Sequence, residues 1–189
     1  MEFRILGPLE ALEEGRAVAL GGSKQRALLA ILLLHAPDVV SRDRLIDQLW
    51  GASPPDTAPT ALQVYVSQLR KILGRETIVT RARGYSMQVG AGELDLDRFE
   101  RLVGDARAQD PAEAAETLRE ALALWRGTPL AEFDSVEFAD AERARLEEQR
   151  LTALEQRIEA DLTLGRHAAV VPELVWLAHE HEPWRPRTM

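Results

Sequence analysis

The chain has 189 residues, of which 46% are apolar and 29% charged, and it contains no cysteine. This composition excludes a disordered chain and fits one large or two small globular domains. The lack of cysteine excludes disulfide bonds, cysteine-ligated zinc and thiol catalysis. The N-terminus has no signal-peptide pattern, and the longest apolar run, ALLAILLL, is less than half a membrane span. We therefore expect a cytoplasmic protein without a membrane partner.

The net charge of −8 conceals an uneven distribution along the chain. Residues 1–92 hold 11 Lys/Arg and 9 Asp/Glu, whereas residues 93–189 hold 12 and 22. Within 57–85, five basic residues accompany a single acid, Glu76. Such asymmetry predicts two domains with different partners, divided at 92/93, although acidic solvated helices that follow a neutral domain would give the same pattern.

The N-terminal half predicts strands, then three helices, then a hairpin. Short runs separated by turn residues predict strands at 3–6, 9–12 and 17–20. SKQRALLAILLLHA predicts a buried helix with Ser23 as its N-cap. SRDRLIDQLWG predicts a second helix that begins after Ser41 and ends at Gly51. ETIVTRARGYSMQV predicts a hairpin over 77–89, with Arg81 and Arg83 at its tip.

The third predicted helix, 57–73, has two faces of opposite character. At ~100° per residue, an apolar stripe is formed by Leu62, Val66, Leu69 and Leu73. The other face has no acid, and it carries one valine among amides, hydroxyls and cations: Thr60, Gln63, Val64, Ser67, Gln68, Arg70 and Lys71.

This face matches the chemistry of the DNA major groove. Glutamine amides can hydrogen-bond base edges, hydroxyls and cations suit phosphates or bases, and Val64 could pack on a thymine methyl group. Helices followed by a β-hairpin wing form a DNA-binding architecture, and Arg81 and Arg83 would contact the backbone or a minor groove. The same residues would also suit an ordinary solvated face, because single exposed apolar residues are common.

The C-terminal half predicts helices near 95–109, 111–126, 137–164 and 167–180. Their rhythm of small residues and leucines is weakly similar to tetratricopeptide helix pairs. Segments such as EFADAERARLEEQR place opposite charges at helical spacing, which predicts a salt-bridged outer face. Trp50 and Trp125 are interpreted as core residues.

No pattern in the sequence indicates catalysis, a cofactor or a metal. GGSKQR at 21–26 lacks the spacing of a phosphate loop. His179 and His181 are two residues apart, so on a helix they point away from each other. No serine has a convincing histidine and acid arrangement.

Several long motifs resemble segments of one protein family and occur in the same order along the chain. VALGGSKQRALLAILLLHAPDVVSRDRLIDQLWG, TALQVYVSQLRKILG and IVTRARGYSM closely resemble the OmpR-type winged helix of the Streptomyces antibiotic regulatory protein (SARP) family. WRGTPLAEF and RLEEQRLTALEQRIEADLTLGRHAAVVPEL resemble its bacterial transcriptional activation domain, which is built of tetratricopeptide-like helix pairs. The likeness covers about residues 2–183. It implies a mainly α fold with small β, comprising a winged helix (1–92) and an all-α domain (93–189).

The resemblance implies a transcription activator that binds direct repeats near promoters of secondary-metabolite clusters and contacts RNA polymerase and its sigma factor. It also implies a recognition helix at 57–73, a wing at 77–89, and a loop at 51–57 that approaches polymerase. Protomers would associate side by side on tandem sites. The family's activation domain usually continues further, so we expect either a naturally short form or a chain that has been cut. In both cases Trp176 and Trp184 would be partly exposed or would cover the end of the last helix pair.

Other functions remain open from the sequence. A repressor or dominant-negative short form would bind promoters without raising transcription. A protein-interaction scaffold would show no preference for direct repeats over random DNA. An enzyme has the least support, because no catalytic constellation is present.

Overall fold

The computed structural model describes residues 1–133 and 137–180, without the side chains of 137, 169, 173 and 176–180. The side chains of Trp176, His179, His181 and Trp184 therefore lie outside the described residues. Within the described part, the chain is mainly helical with two small antiparallel sheets, as predicted. No described helix is both long and apolar enough to cross a membrane.

The first sheet contains three antiparallel strands in the order β1 (Glu2–Arg4), β2 (Glu10–Glu13) and β3 (Arg16–Ala17). Glu14 and Gly15, with φ of 52° and 79°, form the predicted turn between β2 and β3. The prediction extended the first strand through Ile5 and Leu6. Both residues are buried, but their N–H groups bond to the Asp95 carboxylate instead of a neighbouring strand.

A winged helix follows. Its helices are α1 (Ser23–Leu34), α2 (Arg42–Trp50) and α3 (Ala58–Leu73). Its second sheet has the order β4-β6-β5, where β4 is Val39–Ser41, β5 is Ile78–Arg81 and β6 is Gly84–Met87. The hairpin is confirmed, but β4 was not predicted, because three residues carry too little periodicity to indicate a strand.

The helix caps differ in one respect from the prediction. Ser41 caps α2 by accepting a hydrogen bond from the N–H of Arg44 at 3.2 Å, and Gly51 ends the helix. Ser23, however, is the first helical residue, and the N-cap of α1 is Gly22. The side chain of Gln25 reaches back to Gly22, which allows a cap residue without a side chain.

The core of the winged helix surrounds α1, in which residues 27–33 are all buried. The predicted stripe of α3, Leu62, Val66, Leu69 and Leu73, is buried against it, at most 6% exposed. Trp50 is only half-buried and stacks on Tyr65, with ring centroids 6.2 Å apart. The interpretation of Trp50 as a core residue therefore needs correction, because its side chain lies at the edge of the core and is partly exposed.

The C-terminal half contains α4 (Asp95–Ala106), α5 (Pro111–Leu122), α6 (Glu137–Thr163) and α7 (His167–Glu180), as predicted in number and order. α5 packs between α4 and α6, and Arg119 of α5 binds the buried carboxylate of Asp161 in α6 at 2.5 Å. Trp125 is buried, as predicted, and packs edge-on against Phe99.

The two halves share one continuous core and meet at the first sheet. Phe3 of β1 forms a parallel bridge to Leu94 and donates its N–H to the carbonyl of Glu93 at 2.6 Å. Arg126 donates its N–H to the carbonyl of Leu6 at 2.8 Å and pairs with Glu10 at 2.9 Å. This sheet therefore links the winged helix to the helical half.

Candidate nucleic-acid interface

The candidate interface is the outward face of α3. Packing of its leucine stripe on α1 forces the opposite stripe outward, because the two lie half a helical turn apart. The exposed residues of this stripe are Thr60, Gln63, Val64, Ser67, Gln68 and Lys71. Val64 keeps 46% of its surface exposed. The structure therefore places six of the seven predicted helix residues on one solvent-facing surface.

Arg70 has a different setting from the predicted one. It is half-buried at the edge of α3, and its Nε donates to the carbonyl of Ile78 at 2.8 Å. Its Nη2 donates to the hydroxyl of Thr80 at 2.7 Å. Two of its nitrogens thus join β5 to α3.

Gln68 also has a partner inside the protein. The Nε2 of Gln25 in α1 donates a hydrogen bond to the Oε1 of Gln68. Gln68 remains exposed, so this contact orients its amide without removing it from the surface.

The wing brings Arg81 and Arg83 to its tip, where both are exposed. Arg81 donates through Nε to the hydroxyl of Ser86 at 3.4 Å, and the carbonyl of Arg83 accepts from the N–H of Arg42 at 3.0 Å. The wing is held by close strand packing, because a Cβ on Gly84 would overlap the carbonyl of Val40. The two predicted arginines therefore lie at the turn of a hairpin whose strand β6 packs closely on β4.

Sequence reasoning missed Arg42 and Gln25. Arg42 is exposed at the start of α2, with its guanidinium 5.8 Å from the ring centroid of Tyr85, beside the wing turn. Its position directly after an N-cap could have indicated a surface cation near a helix N-terminus. Nothing in the sequence linked Gln25 to Gln68, because 43 residues separate them.

The described residues contain no cluster of histidine or acidic side chains that could hold a metal ion. Between 57 and 75 the sequence has no acid at all, and the exposed cations Lys71, Arg81 and Arg83 border the helix and wing. A surface with this charge attracts a polyanion and would not repel phosphates.

Both halves of the chain match models of known protein families. Residues 15–87 match the family model "Transcriptional regulatory protein, C terminal", and residues 94–189 match "Bacterial transcriptional activator domain". Regulatory protein DnrI of Streptomyces peucetius is 39% identical over 196 residues, which cover 96% of this chain and 72% of that protein. The chain belongs to the SARP family. As a SARP regulator it carries a DNA-binding domain, and the family consists of transcriptional regulators rather than enzymes.

Other SARP relatives are longer. Regulatory protein AfsR of Streptomyces coelicolor is 41% identical across 99% of this chain, which spans only 19% of that protein. The solved structure of Mycobacterium tuberculosis EmbR, in complex with a low-affinity phosphopeptide, matches with a TM-score of 0.90 and 34% identity. It covers 96% of this chain, which spans 50% of EmbR. The winged helix and helical half therefore form a unit that recurs within larger regulators.

Proposed function

We propose that this SARP chain activates transcription by reading double-stranded DNA with α3 in the major groove and the wing on the flanking backbone. The observation that carries the proposal is the acid-free, outward face of α3, with an exposed valine between two glutamines. A major groove offers hydrogen-bonding base edges and thymine methyl groups side by side, so it can satisfy every member of that face.

We assign distinct roles to the residues of the interface. Gln63, Gln68 and Val64 contact bases, whereas Thr60, Ser67 and Lys71 contact bases or phosphates. Arg81 and Arg83 neutralise phosphates beside the recognition helix, and we add Arg42 to this group because it lies next to the wing turn. Arg70 holds the wing in place, since its guanidinium already binds β5.

The remaining parts of the proposal concern partners. We propose that residues 1–92 bind DNA and that the acidic residues 93–189 form a platform for protein contacts. The loop 51–57 would contact RNA polymerase and its sigma factor, and its residues 52–57 are exposed beside α3. Protomers would assemble side by side on direct repeats, and the targets would be promoters of an antibiotic gene cluster on the nucleoid in the cytoplasm.

Two experiments test this function. Selection from a random duplex library should enrich direct repeats spaced by about one helical turn, and affinity for them should fall steeply with salt. In-vitro transcription from a promoter with those repeats should then rise when the protein and RNA polymerase are both present. Binding without increased transcription would indicate a repressor, and failure to select any sequence would indicate a protein-interaction scaffold.

A further inference from the structure

We propose that Gln25 of α1 is a positioning residue for base recognition. It fixes the amide of Gln68 so that Gln68 reads its base pair as a hydrogen-bond donor and selects guanine. The inference rests on the proposed docking of α3 in the major groove. This role would assign a function to the segment GGSKQR at 21–26, which contains Gln25 and lacks the spacing of a phosphate loop.

The orientation of the Gln25 amide is set by the backbone. Its Oε1 accepts a hydrogen bond from the N–H of Gly22 at 2.9 Å. A backbone N–H can only donate, so the oxygen of this amide must lie toward Gly22 and its Nε2 must lie on the other side. Gly21, at φ +84°, leaves the room for that oxygen, because a Cβ on Gly21 would overlap it.

The orientation is passed on to Gln68. The Nε2 of Gln25 can only donate, and it donates to the Oε1 of Gln68 in α3. Gln68 must therefore turn its oxygen toward α1. In the described part of the chain no residue accepts from the Nε2 of Gln68, so this NH₂ group is available to DNA. Gly22, Gln25 and Gln68 thus form a directed chain of hydrogen bonds that ends at the exposed surface.

The chemical consequence is a change in which base fits best. An unrestrained glutamine presents oxygen and nitrogen together and matches adenine, which offers an acceptor at N7 and a donor at N6. When the oxygen is held away, the outward NH₂ group meets two adjacent acceptors only at guanine, through N7 and O6. Gln63 has no amide partner among the described residues, so it keeps the freedom to match adenine.

The test uses two substitutions of Gln25 in the full chain, with sequence preference as the readout. The base pair read by Gln68 is first identified as the one whose preference is lost in Gln68→Ala. At that base pair the wild-type chain should prefer guanine, and Gln25→Ala should reduce the preference about tenfold, because the Gln68 amide can then turn. Preferences at other base pairs should not change.

Gln25→Glu provides the sharper variant. The introduced carboxylate still accepts from the Gly22 N–H, so the cap of α1 is kept. It can no longer donate to the oxygen of Gln68 and instead attracts its NH₂ group. The oxygen of Gln68 then faces outward, and the preference should move to a base with a donor, cytosine through N4 or adenine through N6. Gln63→Ala is the matched control, since it should alter a different base pair only.

The outcomes separate this role from the proposed function. A wild-type preference for adenine at the Gln68 base pair, or an unchanged preference in both Gln25 variants, overturns the role of Gln25 while DNA reading stands. Failure of the wild-type chain to select any sequence overturns the proposed function and the role of Gln25 with it. Without DNA, the NMR signals of the Gln68 side-chain amide should shift in both variants, and those of Gln63 should not. Unshifted Gln68 signals would contradict the hydrogen bond itself.

Discussion

At the scale of single residues, the proposed interface divides into side chains that we expect to read bases and side chains that we expect to neutralise phosphates. We place the exposed Val64 in the first group, because a valine has no means of binding a phosphate and gains only from apolar contact. We place Arg81 and Arg83 in the second group, because they are exposed at the tip of the hairpin that follows α3. Each group has its own experimental signature.

The contact of Val64 with a thymine methyl group can be tested by removing that methyl from the DNA. Replacement of thymine by deoxyuridine in the selected site should weaken wild-type binding by about 0.8 kcal/mol, roughly fourfold, at one position. Val64→Ala should lose this sensitivity in a competition binding assay. Val39→Ala, at the other exposed valine of the winged helix, should keep it. Equal sensitivity in Val64→Ala and the wild type would remove Val64 from the interface.

The phosphate role of the wing predicts an effect that is independent of sequence. Arg81→Ala and Arg83→Ala should each weaken binding to specific and random duplexes alike and reduce the slope of log K against log salt by about 1. Titrations at several salt concentrations measure this slope. Arg101→Ala is the control. It removes an exposed arginine of α4 that is not part of the proposed interface, and it should leave the slope unchanged. A changed base preference in the Arg81 or Arg83 variant would instead assign that arginine to base reading.

At the scale of elements, the relation between wing and recognition helix depends on contacts that cross the chain. β4 supplies the third strand of the wing sheet, and Arg70 joins α3 to β5. The strand pair β4-β6 comes so close at Gly84 that a side chain there has no space beside Val40. The geometry of the wing therefore depends on one glycine in a strand, where glycine otherwise weakens pairing.

Substitution of glycine by alanine in two different elements should change the free energy of unfolding in opposite directions. Gly84→Ala should lower the free energy of unfolding by about 1–3 kcal/mol, because the new methyl group forces β4 and β6 apart. Gly104→Ala in α4, where the added Cβ meets no atom within 4 Å outside the adjacent backbone of its own helix, should raise it by about 0.5–1 kcal/mol. Urea denaturation of both variants gives the values. A Gly84→Ala protein as stable as the wild type would show that the strands accommodate the methyl group.

At the scale of the whole molecule, the two halves are connected through a buried carboxylate. Asp95, in the first turn of α4, accepts hydrogen bonds from the N–H groups of Ile5 and Leu6 at 2.8–3.0 Å. Arg126 lies 3.8 Å from the same carboxylate and also bonds the carbonyl of Pro8. In a second contact between the halves, Glu132 accepts hydrogen bonds from Arg26 of α1 and from the N–H of Leu9. These contacts fix the winged helix on the helical half.

This junction predicts a pH dependence of stability. Burial raises the pKa of Asp95 above its ordinary value, against the opposing effect of the hydrogen bonds from Ile5 and Leu6. The folded protein therefore holds this proton more tightly than the unfolded chain does. The resulting contribution to stability is full below about pH 4 and declines as the pH rises through the raised pKa.

Asp95→Asn isolates that contribution, because the amide cannot ionise and keeps one oxygen for the N–H groups of Ile5 and Leu6. Urea denaturation of both proteins between about pH 4 and 7 should show the wild type losing stability relative to Asp95→Asn as the pH rises. A relative gain would mean that Arg126 and the amide hydrogen bonds outweigh desolvation. The direction of the change therefore decides which effect controls the junction.

Local patterns were sufficient to predict the helices and the two faces of α3, because a repeat of 3.6 residues separates leucines from polar residues without any distant contact. It also determined the hairpin and its two arginines, since turn residues act locally. These signals were enough to predict the winged helix, the helical half and most of the candidate interface.

The hydrogen-bond partners of the polar side chains, in contrast, depend on contacts between residues far apart in the chain. The partner of Arg70 is a strand, that of Gln68 is a side chain on another helix, and β4 exists because β6 pairs with it 43 residues later. The carboxylate of Asp95 ends β1 from 90 residues away. Each of these contacts joins residues that no local pattern connects, so the pairing of donors and acceptors was fixed by packing of the chain.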